Sequence, residues 1–400
     1  MHNCTIIGIS DQRSLWLPPE VEAVIGSHRV FSGGRRHRAI MADRLPSDAV
    51  WIDITVPLSD VFRAYERYED IVVFASGDPL FYGFAQTVQR ECPGCTIRLY
   101  PSFNSLQTLA HRLLLPYQDM HVVSLTGRPW RGLDEALISG YGLIGVLTDG
   151  HRTPLAILQR MADYGYTNYT MTVGERLGNA DEERITTLDV CSKHNTQPLC
   201  DFASPNCVIL RRTSVRPRPF GLPEQDFALL DGRARMITKM PIRLLSLSML
   251  DLRHRHVFWD VGFCTGSVSI EAKLQFPHLD VHAFEQREEG RRLMADNARR
   301  FGTPGIEAHI GDFLVADVDA LPRPDAVFIG GHGGRLSDML QRVARCMNPG
   351  GVVVFNSVSD ASRQQFYDGV AQAGLCLDGE TRMAIDDHNP IYVLRAVRSS

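Results

Sequence analysis

The sequence predicts an α/β fold laid out in two successive parts, on three observations. Strand-like apolar runs alternate with helix-spaced segments through the first half of the chain. Nearly every run ends in a small or polar cluster, which is where sheets of this class bind ligands. In the second half, His256 to Glu271 reads as a strand, a glycine turn and a helix start, and the strand Val281 to Glu285 then ends in a carboxylate. The length of 400 residues suits two or three domains.

The stretch from His256 is the most informative. Val257 to Trp259 is apolar enough for a buried strand, the chain turns through Asp260, Gly262 and Gly266, and Ser267 to Leu274 continues as a helix. Glycines without a Cβ let a ligand approach the backbone, and the helix N-terminus adds directed N–H groups. The D-x-G-x-x-x-G spacing differs from the dinucleotide G-x-G-x-x-G and resembles the S-adenosylmethionine (SAM) loop of class I methyltransferases. Glu285 is placed to grip a ribose, and Ile310-Gly311-Asp312-Phe313 to meet an adenine.

In chain order, strands are expected at Cys4–Ile9, Val50–Ile54, Ile71–Ala75, Thr96–Tyr100, His121–Leu125, Gly142–Leu147, Tyr169–Gly174 and Cys207–Arg211. Helices are expected at Phe84–Arg90, Leu106–Leu114 and after Pro154, whose missing N–H costs little in a first turn. Arg211 to Pro223, with prolines among arginines, reads as an extended linker. An amphipathic helix follows Pro241 to Leu252, and a polar one runs from Glu288 to Phe301. Ala326–Ile329, Val352–Phe355 and Ile391–Val397 read as strands and Ala361–Ala373 as a helix. No internal repeat or low-complexity tract is found.

Composition narrows the function. A formal net charge of −4 offers no basic surplus for nucleic acid. Asn348-Pro349-Gly350-Gly351 lacks the aromatic residue after proline that would stack on a flipped base. Of nine cysteines, Cys92 and Cys95 have C-x-x-C spacing without a second pair, and read as thiols in a turn. No apolar run is long enough to span a membrane, no signal-peptide pattern is read, and a cytoplasmic location is expected.

Ser76-Gly-Asp-Pro-Leu-Phe-Tyr-Gly83, Pro101-Ser-Phe-Asn-Ser105, Ser124-Leu-Thr-Gly-Arg128, Leu147-Thr-Asp-Gly150 and Val173-Gly-Glu-Arg-Leu-Gly178 follow one another in the order of the tetrapyrrole methylase family, which the N-terminal half resembles. Phe220-Gly-Leu-Pro223, Ile237-Thr-Lys239, Trp259 to Glu271 and Ile329-Gly-Gly-His-Gly-Gly334 are similar to the class I methyltransferases that accompany it in cobalamin synthesis. The resemblance implies a tetrapyrrole methylase domain of two α/β subdomains over residues 1–212, a linker and entry segment over 213–235, and a Rossmann-like class I domain over 236–400. It implies one SAM per domain and a corrinoid small-molecule substrate, cobalt-free or cobalt-loaded. The expected reactions are methylation at C5 by the first domain, and methylation at C15 with loss of the C12 acetate carboxylate by the second. Self-association is implied as well. The alternative is a SAM-binding fusion in which only one domain turns over, on another tetrapyrrole.

By the same resemblance Gly77, Asp78, Phe81, Asn104 and Ser105 form the first SAM wall, although Asp78 also suits a local turn beside Pro79. In the second domain Glu285 meets the ribose, Asp312 the adenine amine, and Gly262, Cys264, Thr265, Gly266 and Ser267 wrap the methionine part. Asp260 fixes the loop or meets the methionine ammonium. Thr238, Lys239 and His332 face the substrate as candidate catalytic groups. Arg128 and Arg335 are candidate forks for its carboxylates. No metal ligand set is assigned. Three positions depart from the families' patterns. Gly8-Ile9-Ser10-Asp11 replaces a glycine-rich loop, Cys264 replaces a glycine with a Cβ that narrows the approach and is tolerable where φ stays negative, and His332 replaces a small residue.

Overall fold

The computed structural model describes residues 3–12, 14–190, 202–232, 236–385 and 390–399. They form two compact units. The first holds the residues up to Arg128 with Tyr141–Gln159 and Tyr169–Thr213; the second holds Pro129–Gly140, Arg160–Asn168 and the residues from Ser214 onward. The sequence boundary at 212 falls beside the main division at Thr213, but two short stretches of the N-terminal half join the second unit.

The first unit contains two five-stranded sheets. Strands β1 (Asn3–Ile9), β2 (Val30–Gly33), β3 (Val50–Asp53), β4 (Asp70–Ser76) and β5 (Thr96–Tyr100) make a parallel sheet in the order β3-β2-β4-β1-β5. Its central strands are buried on both faces, hence their unbroken apolar runs. Cys4 and Ile6 pack with Ile71 and Val73 on one face, while Ile7 and Ile9 pack with Val72 and Phe74 on the other. Strands β6 (His121–Ser124), β7 (Leu143–Leu147), β8 (Tyr169–Glu175), β9 (Arg184–Asp189) and β10 (Asn206–Arg212) form the second sheet, β6-β7-β10-β8-β9. Of its neighbouring pairs only β6–β7 is parallel; the other three are antiparallel.

The second unit carries β11 (Val257–Val261), β12 (Asp280–Glu285), β13 (Ile306–Ile310), β14 (Ala326–Ile329), β15 (Val352–Ser357), β16 (Cys376–Met383) and β17 (Ile391–Val397). Their order is β13-β12-β11-β14-β15-β17-β16, with β17 antiparallel to both of its neighbours and the rest parallel. The order reverses between β11 and β14, and the crevice beyond the strand ends at such a switch point is where open α/β sheets bind ligands. Asp260 lies inside β11 instead of in the turn that follows.

The segment after Arg212 is more than a spacer. Leu222 and Phe227 are buried, and two short 3-10 helices, Glu224–Asp226 and Leu230–Gly232, interrupt it; residues 233–235 of the expected linker lie outside the described residues. The Gly221 and Leu222 amides donate to the Glu271 carboxylate at 3.0 and 2.9 Å. Glu271 and Arg243, both fully buried, form an ion pair at 3.2 Å. Arg243 also donates to the carbonyls of Leu222 and, at 2.8 Å, Thr238. An unpaired charge here would cost several kcal/mol, so the pair fixes where the chain enters the second unit.

Candidate active sites

Each unit contains a cavity at the C-terminal ends of parallel strands. The one in the second unit encloses about 890 Å³ and the one in the first about 580 Å³. Both fall in the range of small-ligand sites, roughly 300–1,000 Å³.

In the second unit the β11 turn is folded onto the sheet. The Gly262 and Phe263 amides donate to the Phe284 carbonyl at 2.8 and 3.2 Å. Gly262 has φ of +79°, and a Cβ there would stand 2.6 Å from the Gly331 amide nitrogen, so the loops after β11 and β14 meet only because this residue has no side chain. Cys264 has φ of +51°. The condition of a negative φ is not met: this non-glycine residue occupies the left-handed region, at a cost of about 1–2 kcal/mol. Cys264→Gly is therefore expected to stabilise the second unit by about 1 kcal/mol, read as a higher urea midpoint at unchanged m; a lower midpoint would refute the strain. Burial raises the Cys264 thiol pKa, which leaves it a poor nucleophile.

Glu285 is nearly buried at the end of β12 and accepts from the Cys264 amide at 2.9 Å and the Arg287 amide at 3.0 Å, one on each oxygen. Oε2 keeps a lone pair for a ligand hydroxyl, while the second lone pair of Oε1 faces the Arg287 guanidinium at 3.4 Å. Asp260 is fully buried, and its Oδ2 accepts from the Ser269 amide at 3.1 Å and the Ser269 hydroxyl at 2.6 Å. Its Oδ1 is buried without a partner, as is the Thr265 hydroxyl. Burial pushes the Asp260 carboxyl up to about 7.

Thr238, Lys239, Asp260, Gly262, Cys264, Thr265, Ser267, Glu285, Asp312 and His332 all line this cavity. Gly266 does not. It starts the helix Ser267–Gln275 with φ of +76°, where a Cβ would meet the Met294 sulfur at 2.7 Å. Asp312 is committed in part: Arg335 pairs with it at 2.9 Å and the Leu314 amide donates to it at 2.9 Å, and these, Arg335 first, hold its pKa down. Arg335, expected to meet substrate, is thus engaged by Asp312. The His332 Nδ1 accepts from the Gly334 amide at 3.1 Å, and the ring meets Phe355 edge-on. Burial lowers its pKa, so the ring is neutral with its proton on Nε2, a donor.

In the first unit Gly77, Phe81, Asn104 and Ser105 line the cavity. Asp78 is not among the lining residues; its Oδ1 accepts from the Leu80 amide at 2.9 Å, the local turn of its alternative reading. Asn104 caps the helix Ser105–Arg112 by accepting from the Gln107 amide at 2.9 Å. Gly77 has φ of +61°, and a Cβ would lie 2.8 Å from the Asn104 Cα. Gly8 is as constrained, with a Cβ falling 1.8 Å from the Gly77 carbonyl oxygen, so this glycine serves the packing of the β1 and β4 ends against each other. Arg128 donates to Ser124 at 2.8 Å and lies over the Tyr82 ring.

The sequence reading missed a polar cluster here. Arg36 donates to the Ser76 hydroxyl at 2.8 Å and pairs with Asp11 at 3.2 Å, and His37 Nε2 meets the same hydroxyl at 3.0 Å. The Gly34 amide donates to His37 Nδ1, so Nε2 carries the proton and Ser76 keeps its own hydrogen free to donate. Burial, then the neighbouring Arg36, lowers the His37 pKa to about 4. Arg243 and Glu271 were missed as a pair for the same reason: a charged residue on an amphipathic helix reads as solvated until its partner is seen.

Comparison with known proteins bears on these sites. Residues 4–190 match the family described as Tetrapyrrole (Corrin/Porphyrin) Methylases, and residues 231–400 match the Precorrin methyltransferase domain. A Sinorhizobium protein named Precorrin-6Y C(5,15)-methyltransferase [decarboxylating] is 30% identical over 371 residues, covering 92% of this chain and 88% of that protein. The Salmonella typhimurium Cobalt-precorrin-6B C(15)-methyltransferase (decarboxylating) is 36% identical over 152 residues, 38% of this chain and 78% of its own. The Cobalt-precorrin-7 C(5)-methyltransferase of the same organism is 29% identical over 191 residues, 46% of this chain and 90% of its own.

The chain is thus a two-domain methyltransferase, for which SAM is the methyl donor. It belongs to the family of decarboxylating precorrin-6Y C5,15-methyltransferases of cobalamin biosynthesis.

Proposed function

We propose that each unit binds its own SAM and methylates one position of a corrinoid precursor, the first unit at C5 and the second at C15, with the second also releasing the C12 acetate carboxylate as carbon dioxide. The observation that carries this reading is the presence of two separate cavities, each at parallel strand ends and each shaped by a glycine that admits no Cβ. Matches over both halves, and over 92% of the chain in one relative, do not favour the alternative of a single working domain.

Bound SAM supplies a methyl group already activated on sulfonium, so the protein mainly aligns it with the attacking carbon. In the second unit Glu285 accepts from the ribose hydroxyls through its outer lone pairs. Asp260 Oδ1 and the Thr265 hydroxyl, buried without partners, face the methionine end, where Oδ1 takes the ammonium. Asp312 keeps capacity for the adenine amine on the oxygens it shares with Arg335 and Leu314. Thr238 and Lys239 stand at the start of the helix Met240–Met249 on the substrate side. Neutral His332 donates from Nε2 to the acetate; the macrocycle accepts the electrons released with carbon dioxide. In the first unit the Arg36–His37–Ser76 cluster offers donors to a ligand carboxylate or ribose.

Asp260 gives this reading a pH signature. An acid whose pKa is raised on folding contributes stability at low pH, and that contribution is lost as pH rises through about 7. An ammonium at Oδ1 reverses the preference, so binding expels a proton below pH 7. SAM affinity at the second unit is expected to fall as pH drops from 8 to 6, by up to about tenfold per unit below the pKa. Calorimetry in buffers of different ionisation enthalpy reads the released proton, and Asp260→Asn flattens the profile. An unchanged profile in that variant would remove the ammonium from Oδ1.

Conversion is the test of the function as a whole. The purified chain is supplied with SAM and precorrin-6Y or its cobalt counterpart, and product mass is followed. Gain of two methyl groups with loss of one carbon dioxide is expected; methylation without that loss contradicts the role given to the second unit.

A further inference from the structure

We propose that His282, Glu307 and His309 form a binding site for a divalent transition-metal ion, best suited to zinc, at the β12–β13 edge of the second sheet. Among the described residues they are the one group of three potential ligands whose donor atoms all lie within 4.8 Å of one another. None of them lines the cavity assigned to SAM.

The sheet register brings them together. His282 pairs with Glu307 across β12 and β13, and Phe284 pairs with His309. Because side chains alternate along a strand, residues two apart share a face, so all three project to the same side. His309 stacks on Phe284, with centroids 4.8 Å apart, which holds that ring toward His282. His282 Nδ1 stands 3.1 Å from His309 Nε2 and 3.4 Å from a Glu307 carboxylate oxygen.

These separations match a tetrahedral ion. Zinc with ligands at roughly 2.0–2.1 Å spaces its donor atoms about 3.3–3.4 Å apart. Two imidazole nitrogens and one carboxylate oxygen are a ligand set that zinc accepts, with water in the fourth position. Glu307 is 63% exposed, so the site opens to solvent on that side.

The tautomer of His282 supplies an independent argument. Its side chain is 3% exposed, and its Nε2 is buried without a hydrogen-bond partner, 3.7 Å from an Asp280 carboxylate oxygen. A proton on Nδ1, shared with His309, would leave the Nε2 lone pair facing a carboxylate. A proton on Nε2 points at Asp280 and turns the Nδ1 lone pair toward His309 and Glu307. The order of groups is that of a metal-bound histidine with a carboxylate behind its second nitrogen, here 3.7 Å away and closing to a hydrogen bond on metal loading. With the His309 proton on Nδ1, three lone-pair atoms converge and a cation joins them; with it on Nε2, the two rings share one hydrogen bond instead.

The experiment uses the full chain, stripped with a chelator and titrated with zinc against a chromophoric competitor. One high-affinity zinc per chain is expected, with a rise in Tm on loading. Cobalt substitution should give a tetrahedral spectrum without a thiolate charge-transfer band, which separates the site from the free cysteines. His309→Ala and Glu307→Gln lie toward the solvent edge and spare the buried ring; both should abolish the high-affinity binding. Asp280→Asn should weaken it about 10–100-fold. Absence of tight binding, or binding that survives His309→Ala, overturns the proposal and leaves the cluster holding only a proton.

Discussion

Glu285→Ala is expected to abolish methylation at C15 and to spare methylation at C5. The carboxylate accepts from the Cys264 and Arg287 amides, with the Arg287 guanidinium 3.4 Å from Oε1, and on the proposed reading it also accepts from the ribose hydroxyls. Hydrogen bonds to a charged group are worth about 1.5–3 kcal/mol each, so losing two to the ribose weakens SAM binding there by about 10²–10⁴-fold. The freed Cys264 amide also removes one of the contacts that hold this left-handed turn. Because the other cavity lies wholly in the first unit, its reaction continues. Product bearing the C5 methyl but neither the C15 methyl nor the decarboxylated side chain is the expected outcome. Equal loss at both positions would falsify the division of labour.

Gly77→Ala produces the mirror-image defect. At φ of +61° a Cβ costs about 1–2 kcal/mol in backbone strain alone. Here it also meets the Asn104 Cα at 2.8 Å and the Phe103 carbonyl at 3.2 Å, both backbone atoms that cannot rotate aside. The β4 turn must move away from the helix that Asn104 caps, and both line the cavity. C5 methylation should fall by at least about 100-fold, with C15 methylation and decarboxylation retained. Unchanged C5 activity would mean that this turn does not shape the donor site.

The motifs that lead to these variants could be read from residue order because they are local. The strand ends at Glu285 and Ser76, the turn at Gly262 and the cap at Asn104 each depend on neighbours a few residues away, and side-chain chemistry at short range survives in sequence. Buried central strands such as β4 announce themselves as continuous apolar runs. Edge strands do not: β9 and β16 are mostly polar and exposed, and were not read as strands. Long-range pairings were equally hidden. Arg243 meets Glu271 across 28 positions, and Arg36 reaches Ser76 across 40. The sign of φ at Cys264 is not legible in the sequence, because the turn around it sets that angle and its own side chain does not. Asp78 and Gly266 look like ligand contacts in a motif, yet each serves the turn or helix beside it.

The account stands on two independent donor sites in one chain, and calorimetric titration of the full-length protein with SAM addresses that directly. Wild type should bind two equivalents, Glu285→Ala one, Gly77→Ala one, and the double variant none. A wild-type stoichiometry of one, or the two single variants silencing the same site, would contradict it.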